Sequence, residues 1–257
     1  MIRSILLIFV GVSITAFFCF WTVVFSLLGA GESRIHKLAR LWARILLSLS
    51  SIPVEIFGWR HVLLDGPQIF AANHQSDVDT LVALAWTPVP FRWIAKEELF
   101  KIPLFGAAMR NAGYIPIDRR NHESAMKSLD EAARIIRKGS SVMTFPEGTR
   151  SGDGTIQPFK HGVFHLAIQA GVPIVPVTII GSGAIMRKRS LKINPGGVKL
   201  IFDEPIDVGG YSIETRHQLI DRVRNTIIEN HRKYSSPSGF GSPAHYAGIE
   251  KGDRGGK

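Results

Sequence analysis

Asn73-His74-Gln75-Ser76-Asp77-Val78-Asp79 follows directly on the short apolar run Ile69-Phe70-Ala71-Ala72, and the reading of this junction governs the rest of the chain. The apolar run has the length and composition of a buried strand. Ser76 and Asp79 stand in capping-box spacing, so a helix is expected from about Asp77 to the Thr87-Pro88 stop. His74 then belongs to the strand-to-helix loop and Asp79 to the first helical turn. On one continuous helix a five-residue step would carry the two side chains to different faces. With His74 in a loop, the chain can fold back so that Asp79 accepts the proton of one imidazole nitrogen and the other nitrogen is left as a base. The same residues also admit a purely structural role, with Asp79 as a reciprocal cap and His74 as a polar loop residue.

On either side of this junction, Val54 to Phe57, Phe91 to Ala95, Tyr114 to Ile117, Ser141 to Phe145, Pro173 to Ile180 and Val198 to Phe202 read as further short strands. Helical spacing marks Asn121 to Lys138, His161 to Ala170 and Ile213 to Tyr234, with Gly139 and Gly171 as stops. Pro103 to Gly106 is a turn or a short helix. Strands alternating with helices predict an α/β fold with a largely parallel sheet flanked by helices and with ligands at strand carboxyl ends. His74 and the loop after Ser141–Phe145 are both at such ends. The 257 residues divide into 1–52, a membrane-associated helical hairpin; 53–234, the α/β domain; and 235–257, a Ser-, Gly- and Pro-rich tail expected to be disordered.

The hairpin opens with Ser4 to Ala30, which carries no charged side chain and would extend about 40 Å as a helix, enough to cross a bilayer. A retained anchor fits it better than a signal peptide cut near Gly29-Ala30-Gly31, because the stretch is long for the apolar part of a signal. A crossing helix and a hairpin held in one leaflet both remain open. From Ser33 to Ser50, Ile35, Leu38, Trp42, Ile45, Leu46 and Leu49 project to one side and Arg34, Lys37, Arg40 and Arg44 to another. That pattern suits a basic amphipathic helix at a headgroup layer, or a helix packed on the domain with a solvated basic face. The basic cluster after the first helix favours a cytoplasmic position for the α/β domain. A net charge of +10 implies an anionic partner, and with no stripe of basic and stacking residues that partner is a phospholipid surface rather than nucleic acid. The single Cys19 excludes an internal disulfide and a cysteine metal site.

The block Asn73 to Asp79 resembles the NHxSxxD block of the HxxxxD glycerolipid acyltransferase family, best known for 1-acyl-glycerol-3-phosphate acyltransferases. Lys96-Glu97-Glu98-Leu99, Pro103, Gly106, Gly113 and Ile117-Asp118-Arg119 resemble its second block, Phe145-Pro146-Glu147-Gly148-Thr149-Arg150-Ser151 its FPEGTRS block, and Val172-Pro173-Ile174-Val175-Pro176-Val177 its fourth. The four occur in family order from about Asn73 to Ile179.

The resemblance implies transfer of a fatty acyl group from acyl-CoA or acyl-carrier protein to the sn-2 hydroxyl of lysophosphatidic acid, or to another lysolipid, at a membrane that is the inner membrane if the source is bacterial. A non-catalytic lipid-binding protein is the rival class. An alcohol is a poor nucleophile near neutral pH, so it needs a base. His74 takes that role and Asp79 holds its tautomer. Arg150 suits the acceptor's phosphate, because a guanidinium forms paired bonds to phosphate oxygens. The resemblance adds Lys96 and Arg119 as phosphate contacts, and Glu147, Gly148 and Thr149 as residues that shape the loop and touch the glycerol, although Glu147 could instead pair with Arg150. Backbone amides near Glu147 are candidate oxyanion donors. No GxSxG elbow and no HExxH are present, and no metal or cofactor is expected beyond the acyl donor as co-substrate.

Overall fold

The computed structural model describes residues 1–118 and 120–235. Arg119 and most of the expected disordered tail, residues 236–257, lie outside the described residues. In chain order the helices are α1 (Ile2–Leu27), α2 (Glu32–Leu49), α3 (Val78–Trp86), α4 (Glu97–Phe100), α5 (Phe105–Asn111), α6 (His122–Arg137), α7 (Gly162–Ala170), α8 (Ser182–Ile185) and α9 (Arg216–Tyr234). The strands are β1 (Val54–Phe57), β2 (Ile69–Ala72), β3 (Phe91–Lys96), β4 (Ile115–Ile117), β5 (Ser141–Thr144), β6 (Ile174–Ile180) and β7 (Val198–Phe202).

The strands form one sheet in the order β1-β7-β6-β2-β5-β3-β4. From β6 to β4 every pairing is parallel, as the alternation of elements predicts. β7 runs antiparallel to β6, and β1 runs parallel to β7. The reversal comes from the link between β6 and β7, whose only helix is the four-residue α8, so the chain turns back instead of crossing over a face. β2, β5 and β6 are buried at every position, the pattern of strands covered on both faces. One face packs Phe70, Phe91, Met143 and Val177 against Ala43 and Leu47 of α2 and Val82 and Ala85 of α3. The other packs Ile69, Val142 and Ile174 against Ala132 and Ile136 of α6, Phe164 of α7 and Val223 of α9. With carboxyl ends aligned, the loops after β2 and β5 emerge side by side.

α1 is the one helix among the described residues long and apolar enough to cross a membrane. Phe9, Phe17 and Phe20 on its outer side are 71%, 59% and 53% exposed, while Ser4, Cys19 and Thr22 are buried against the protein. Its inner side is tied to the rest of the protein by two hydrogen bonds. Ser4 Oγ accepts from the Ile193 N–H, and Thr15 Oγ1 accepts from Trp42 Nε1.

α2 departs from its expected facing. Ile35, Ala43 and Leu47 point inward, and Arg40 and Arg44 turn onto the domain as well, both donating to the Ala85 carbonyl near the end of α3. A helix carboxyl end carries unpaired carbonyls and partial negative charge, which draws guanidinium groups from a neighbouring helix. Arg44 also lies 4.7 Å from the centre of the Trp86 ring. The basic face available to headgroups is thus reduced to Arg34 and Lys37. Glu32 at the start of α2 pairs with the buried Arg92, 3.2 Å away, and anchors the hairpin to β3. Beside that pair, burial and the charges of Arg92 and Arg40 lower the His36 imidazole to about 3, so it packs as a neutral ring against Phe91.

Candidate active site

β2 ends at Ala72, and Asn73 extends it with its side chain instead of its backbone. Asn73 Nδ2 donates to the Ile179 carbonyl at 2.9 Å and Oδ1 accepts the Ile179 N–H at 2.7 Å, so the amide continues the pairing with β6 while the main chain bends away. His74 comes next, carried out of the sheet at the carboxyl edge.

The two roles weighed for Asp79 coexist on a single atom. Its Oδ2 accepts from His74 Nδ1 at 2.9 Å, from the Gln75 N–H at 2.6 Å and from the Ser76 N–H at 2.8 Å. The last bond, with Ser76 Oγ accepting the Val78 N–H, caps α3. The carboxylate is fully buried and its Oδ1 has no hydrogen-bond partner. His74 Nε2 has none among the described residues either, and that nitrogen is the one available as a base.

The loop after β5 is laced to His74. Glu147 Oε1 accepts the His74 N–H at 2.6 Å, Oε2 accepts the Gln157 N–H at 2.9 Å, and the Ser151 N–H donates to the His74 carbonyl. Glu147 is buried and is not among the residues that line the cavity; it pairs with backbone, not with Arg150. Burial pushes its carboxyl up to about 7, against the pull of those two N–H groups and with help from the charge of Asp79. Gly148 has φ +73°, a left-handed conformation that residues with a side chain rarely adopt, so the tight turn favours glycine there. The Gly148 and Ser151 amides donate to Phe145 and His74 carbonyls, which removes them as simple candidates for the oxyanion donor. The His74 ring stacks on Phe145, with centroids 3.9 Å apart, and Phe145 on Trp93.

His74, Lys96, Gly148, Thr149 and Arg150 line one cavity of about 400 Å³. Arg150 ion-pairs with Asp77 at its mouth, and Lys96 pairs with Glu98 at 3.1 Å. Two contributors escaped the reading of the motifs: Asp77 and Lys188, whose Nζ donates to the Arg150 carbonyl at 2.7 Å and to Thr149 Oγ1. In sequence Lys188 is one of several charges between Met186 and Lys192, and nothing local marks it out. Away from this polar end the walls are apolar: Phe18 and Cys19 of α1, Trp42 of α2, and Phe105 and Met109 of α5. Among the described residues no group of three or more His, Cys, Asp or Glu is placed to hold a metal.

A largely parallel α/β sheet holds an imidazole–carboxylate pair at its carboxyl edge, with cations on one side and an apolar chamber on the other, an arrangement chemically able to activate a hydroxyl of an amphipathic molecule. Residues 53–180 match the protein family described as Acyltransferase. The chain is 32% identical over 224 residues to a 1-acyl-sn-glycerol-3-phosphate acyltransferase of Limnanthes alba, with 85% of this chain and 79% of that one covered. The human 1-acyl-sn-glycerol-3-phosphate acyltransferase alpha is 33% identical over 201 residues, 78% of this chain and 71% of that one. A chloroplastic enzyme of that name from Brassica napus is 38% identical, and there the match spans only 55% of the relative's length. The crystal structure of the 1-acyl-sn-glycerophosphate acyltransferase PlsC from Thermotoga maritima superposes with a TM-score of 0.80 at 26% identity, covering 94% of this chain and 97% of that one. The chain belongs to the acyltransferase family that includes these 1-acyl-sn-glycerol-3-phosphate acyltransferases.

Proposed function

We propose that the protein transfers a fatty acyl group from acyl-CoA or acyl-carrier protein to the sn-2 hydroxyl of 1-acyl-glycerol-3-phosphate, giving phosphatidic acid. The observation that carries this reading is that His74 and Arg150, which lie 76 positions apart, face one chamber whose far end is apolar. The acceptor's phosphate lies against Arg150 and Lys188, with Thr149 beside them and Lys96 across the opening. Asp77 holds Arg150 in place until the phosphate arrives. Arg119, outside the described residues, keeps the phosphate role that the family resemblance gives it.

His74 Nε2 takes the proton of the sn-2 hydroxyl as its oxygen attacks the thioester carbonyl. Asp79 holds the proton on Nδ1 and stabilises the imidazolium that results. When the carbon–sulfur bond breaks, the imidazolium returns its proton to the leaving thiolate, so ester and thiol are released with no acyl-enzyme in between. Phe145 and Trp93 fix the ring plane by stacking, which keeps Nε2 aimed at the chamber. The apolar walls from α1, α2 and α5 take the acyl chain.

The hairpin is read as lying in the membrane plane. α1 contacts the domain from Ser4 to Thr22, so a perpendicular crossing would drag the polar domain into hydrocarbon. With its aromatic side exposed, α1 instead sinks into one leaflet, and Arg34 and Lys37 reach the headgroups on the cytoplasmic face, in a bacterial source that of the inner membrane. The deciding experiment is thioester-dependent acylation over a panel of lysolipids, paired with complementation of a strain lacking lysophosphatidate acylation by the wild type and by His74→Ala. Turnover of lysophosphatidate with rescue by the wild type alone is expected. An inert lysophosphatidate beside an active lyso-ornithine lipid or lysophospholipid would move the acceptor assignment, and full rescue by His74→Ala would return the protein to a binding role.

A further inference from the structure

Gln75 points the opposite way from His74, into a second cavity of about 490 Å³. Its walls include Gly152, Gly183, Arg187 and Lys188, and Lys188 borders the reaction chamber as well. The two spaces therefore meet at one lysine, whose Nζ is fixed by the Arg150 carbonyl and Thr149 Oγ1.

The chemistry of this second space is that of an anion site. Arg187 is exposed and its guanidinium has no hydrogen-bond or ion-pair partner among the described residues. Asp153, on the rim, accepts from the Thr155 N–H and Oγ1 through Oδ1. Ser151 in the wall has a buried hydroxyl without a hydrogen-bond partner. Gly152 and Gly183 leave backbone exposed where a side chain would fill the space. Bare backbone and a free guanidinium at one cavity, with the unpaired Ser151 hydroxyl in its wall, suit a phosphate or a chain of amides.

We propose that this cavity receives the phosphopantetheine arm of the acyl donor, with Arg187 binding its phosphate and Lys188 closing the wall between arm and acceptor. The inference rests on the reading of the protein as a thioester-dependent acyltransferase. A thioester with its carbonyl at His74 and its chain in the apolar chamber must lead its sulfur-bearing arm out by a path the acceptor does not fill. Arg150 and its phosphate occupy one side; the polar cavity behind Lys188 is the other. Acyl-CoA and acyl-carrier protein carry the same arm, so one site serves either donor.

The test compares wild type with Arg187→Ala and Gly152→Leu, using acyl-CoA, acyl-carrier protein and the phosphate-free acyl-pantetheine as donors. A Cβ at Gly152 meets no atom within 4 Å, so the larger residue fills the cavity without a clash at its base. Loss of a charge-assisted bond to phosphate corresponds to a rise in donor KM of about ten-fold. Arg187→Ala is expected to raise KM for acyl-CoA and acyl-carrier protein alike, with KM for acyl-pantetheine and for lysophosphatidate unmoved and Arg187→Lys restoring part of the loss. Gly152→Leu is expected to raise KM for all three donors. A rise with acyl-CoA alone would assign the arginine to the nucleotide end of CoA and overturn the shared-arm assignment. A rise in acceptor KM, or no change in either variant while the wild type turns over normally, would overturn it too. A wild type inert with every donor would instead refute the acyltransferase reading itself.

Discussion

Replacing Asp79 with Asn separates charge from geometry, because the surroundings dictate how the amide must sit. Two backbone N–H groups, of Gln75 and Ser76, reach the position of Oδ2 at 2.6 and 2.8 Å, and only an oxygen can accept them. The Asn oxygen therefore takes that place and also accepts from His74 Nδ1, so the imidazole keeps the tautomer it has beside the carboxylate. What is lost is the negative charge. Three hydrogen bonds drop from the charge-assisted to the neutral range, together about 3 kcal/mol of stability. Relief of a buried charge offsets part of this, but the amide NH2 then takes the place of Oδ1, where no partner is present, and that unsatisfied donor returns the net loss to about 3 kcal/mol. In the transition state the imidazolium loses its counter-charge, a cost of roughly 2–3 kcal/mol and thus about 10²-fold in kcat. A flipped amide with the wrong tautomer would cost about 10⁴-fold. Initial rates of thiol release, measured beside urea unfolding of the same variant in detergent, distinguish the cases. An unchanged kcat would reduce Asp79 to a helix cap. A fall of about 10⁴-fold in a folded variant would refute the orientation argued from the two N–H groups.

The raised carboxyl of Glu147 favours its protonated form in the folded protein, so this group's contribution to stability is full below its unfolded value of 4.5 and is lost as pH rises through about 7. Glu147→Gln should flatten unfolding midpoints across that interval, and an unchanged slope would show that the carboxyl titrates normally; the variant also loses one backbone bond, about 1–3 kcal/mol. Arg150→Ala should raise KM for lysophosphatidate about ten-fold or more with the donor KM unmoved, and a change confined to the donor would contradict its assignment to the acceptor phosphate. Gly106→Ala should destabilise the fold by several kcal/mol, because the added Cβ would lie 2.1 Å from the Phe100 carbonyl oxygen and must displace backbone, on the order of the largest single-residue effects; a melting temperature within a degree of wild type would refute that packing. Phe9→Ser combined with Phe20→Ser should weaken sedimentation with phosphatidylglycerol vesicles by about ten-fold or more, and undiminished binding would remove the outer side of α1 from the membrane contact.

The sheet was largely legible because its strands are short apolar runs closed by Gly, Pro or polar residues: β1, β2 and β7 end where the pattern ends. The antiparallel turn of β7 was not, since direction depends on how the link after β6 travels and not on the strand itself. α9 starts at Arg216, later than its apolar spacing predicts, because the hydroxyls of Ser212 and Thr215 bond backbone amides and hold the preceding residues in a turn. Arg40 and Arg44 were misplaced by helical projection, which treats charge as solvent-seeking and contains no knowledge of a neighbouring helix end. At the site, loop and cap spacing allow His74 to pair with Asp79 but equally allow a purely structural role, and it is the downstream Phe145–Ser151 block that favours the pairing. The burial of Glu147 between two backbone N–H groups and the part played by Lys188 depend on which loops become neighbours in space, information that local patterns do not hold.

The chamber proposed for the acyl chain takes part of its wall from Phe18 and Cys19, on the same helix whose opposite side presents Phe17 and Phe20 to the surroundings. Trimming the hairpin to obtain a water-soluble catalyst would therefore unroof the pocket and leave Leu84, Phe105 and Met109 facing solvent. On the proposed placement of α1 in one leaflet, a lipid phase that tightens or loosens around that helix presses on the proposed acyl enclosure, and turnover as well as attachment is then expected to vary with bilayer order.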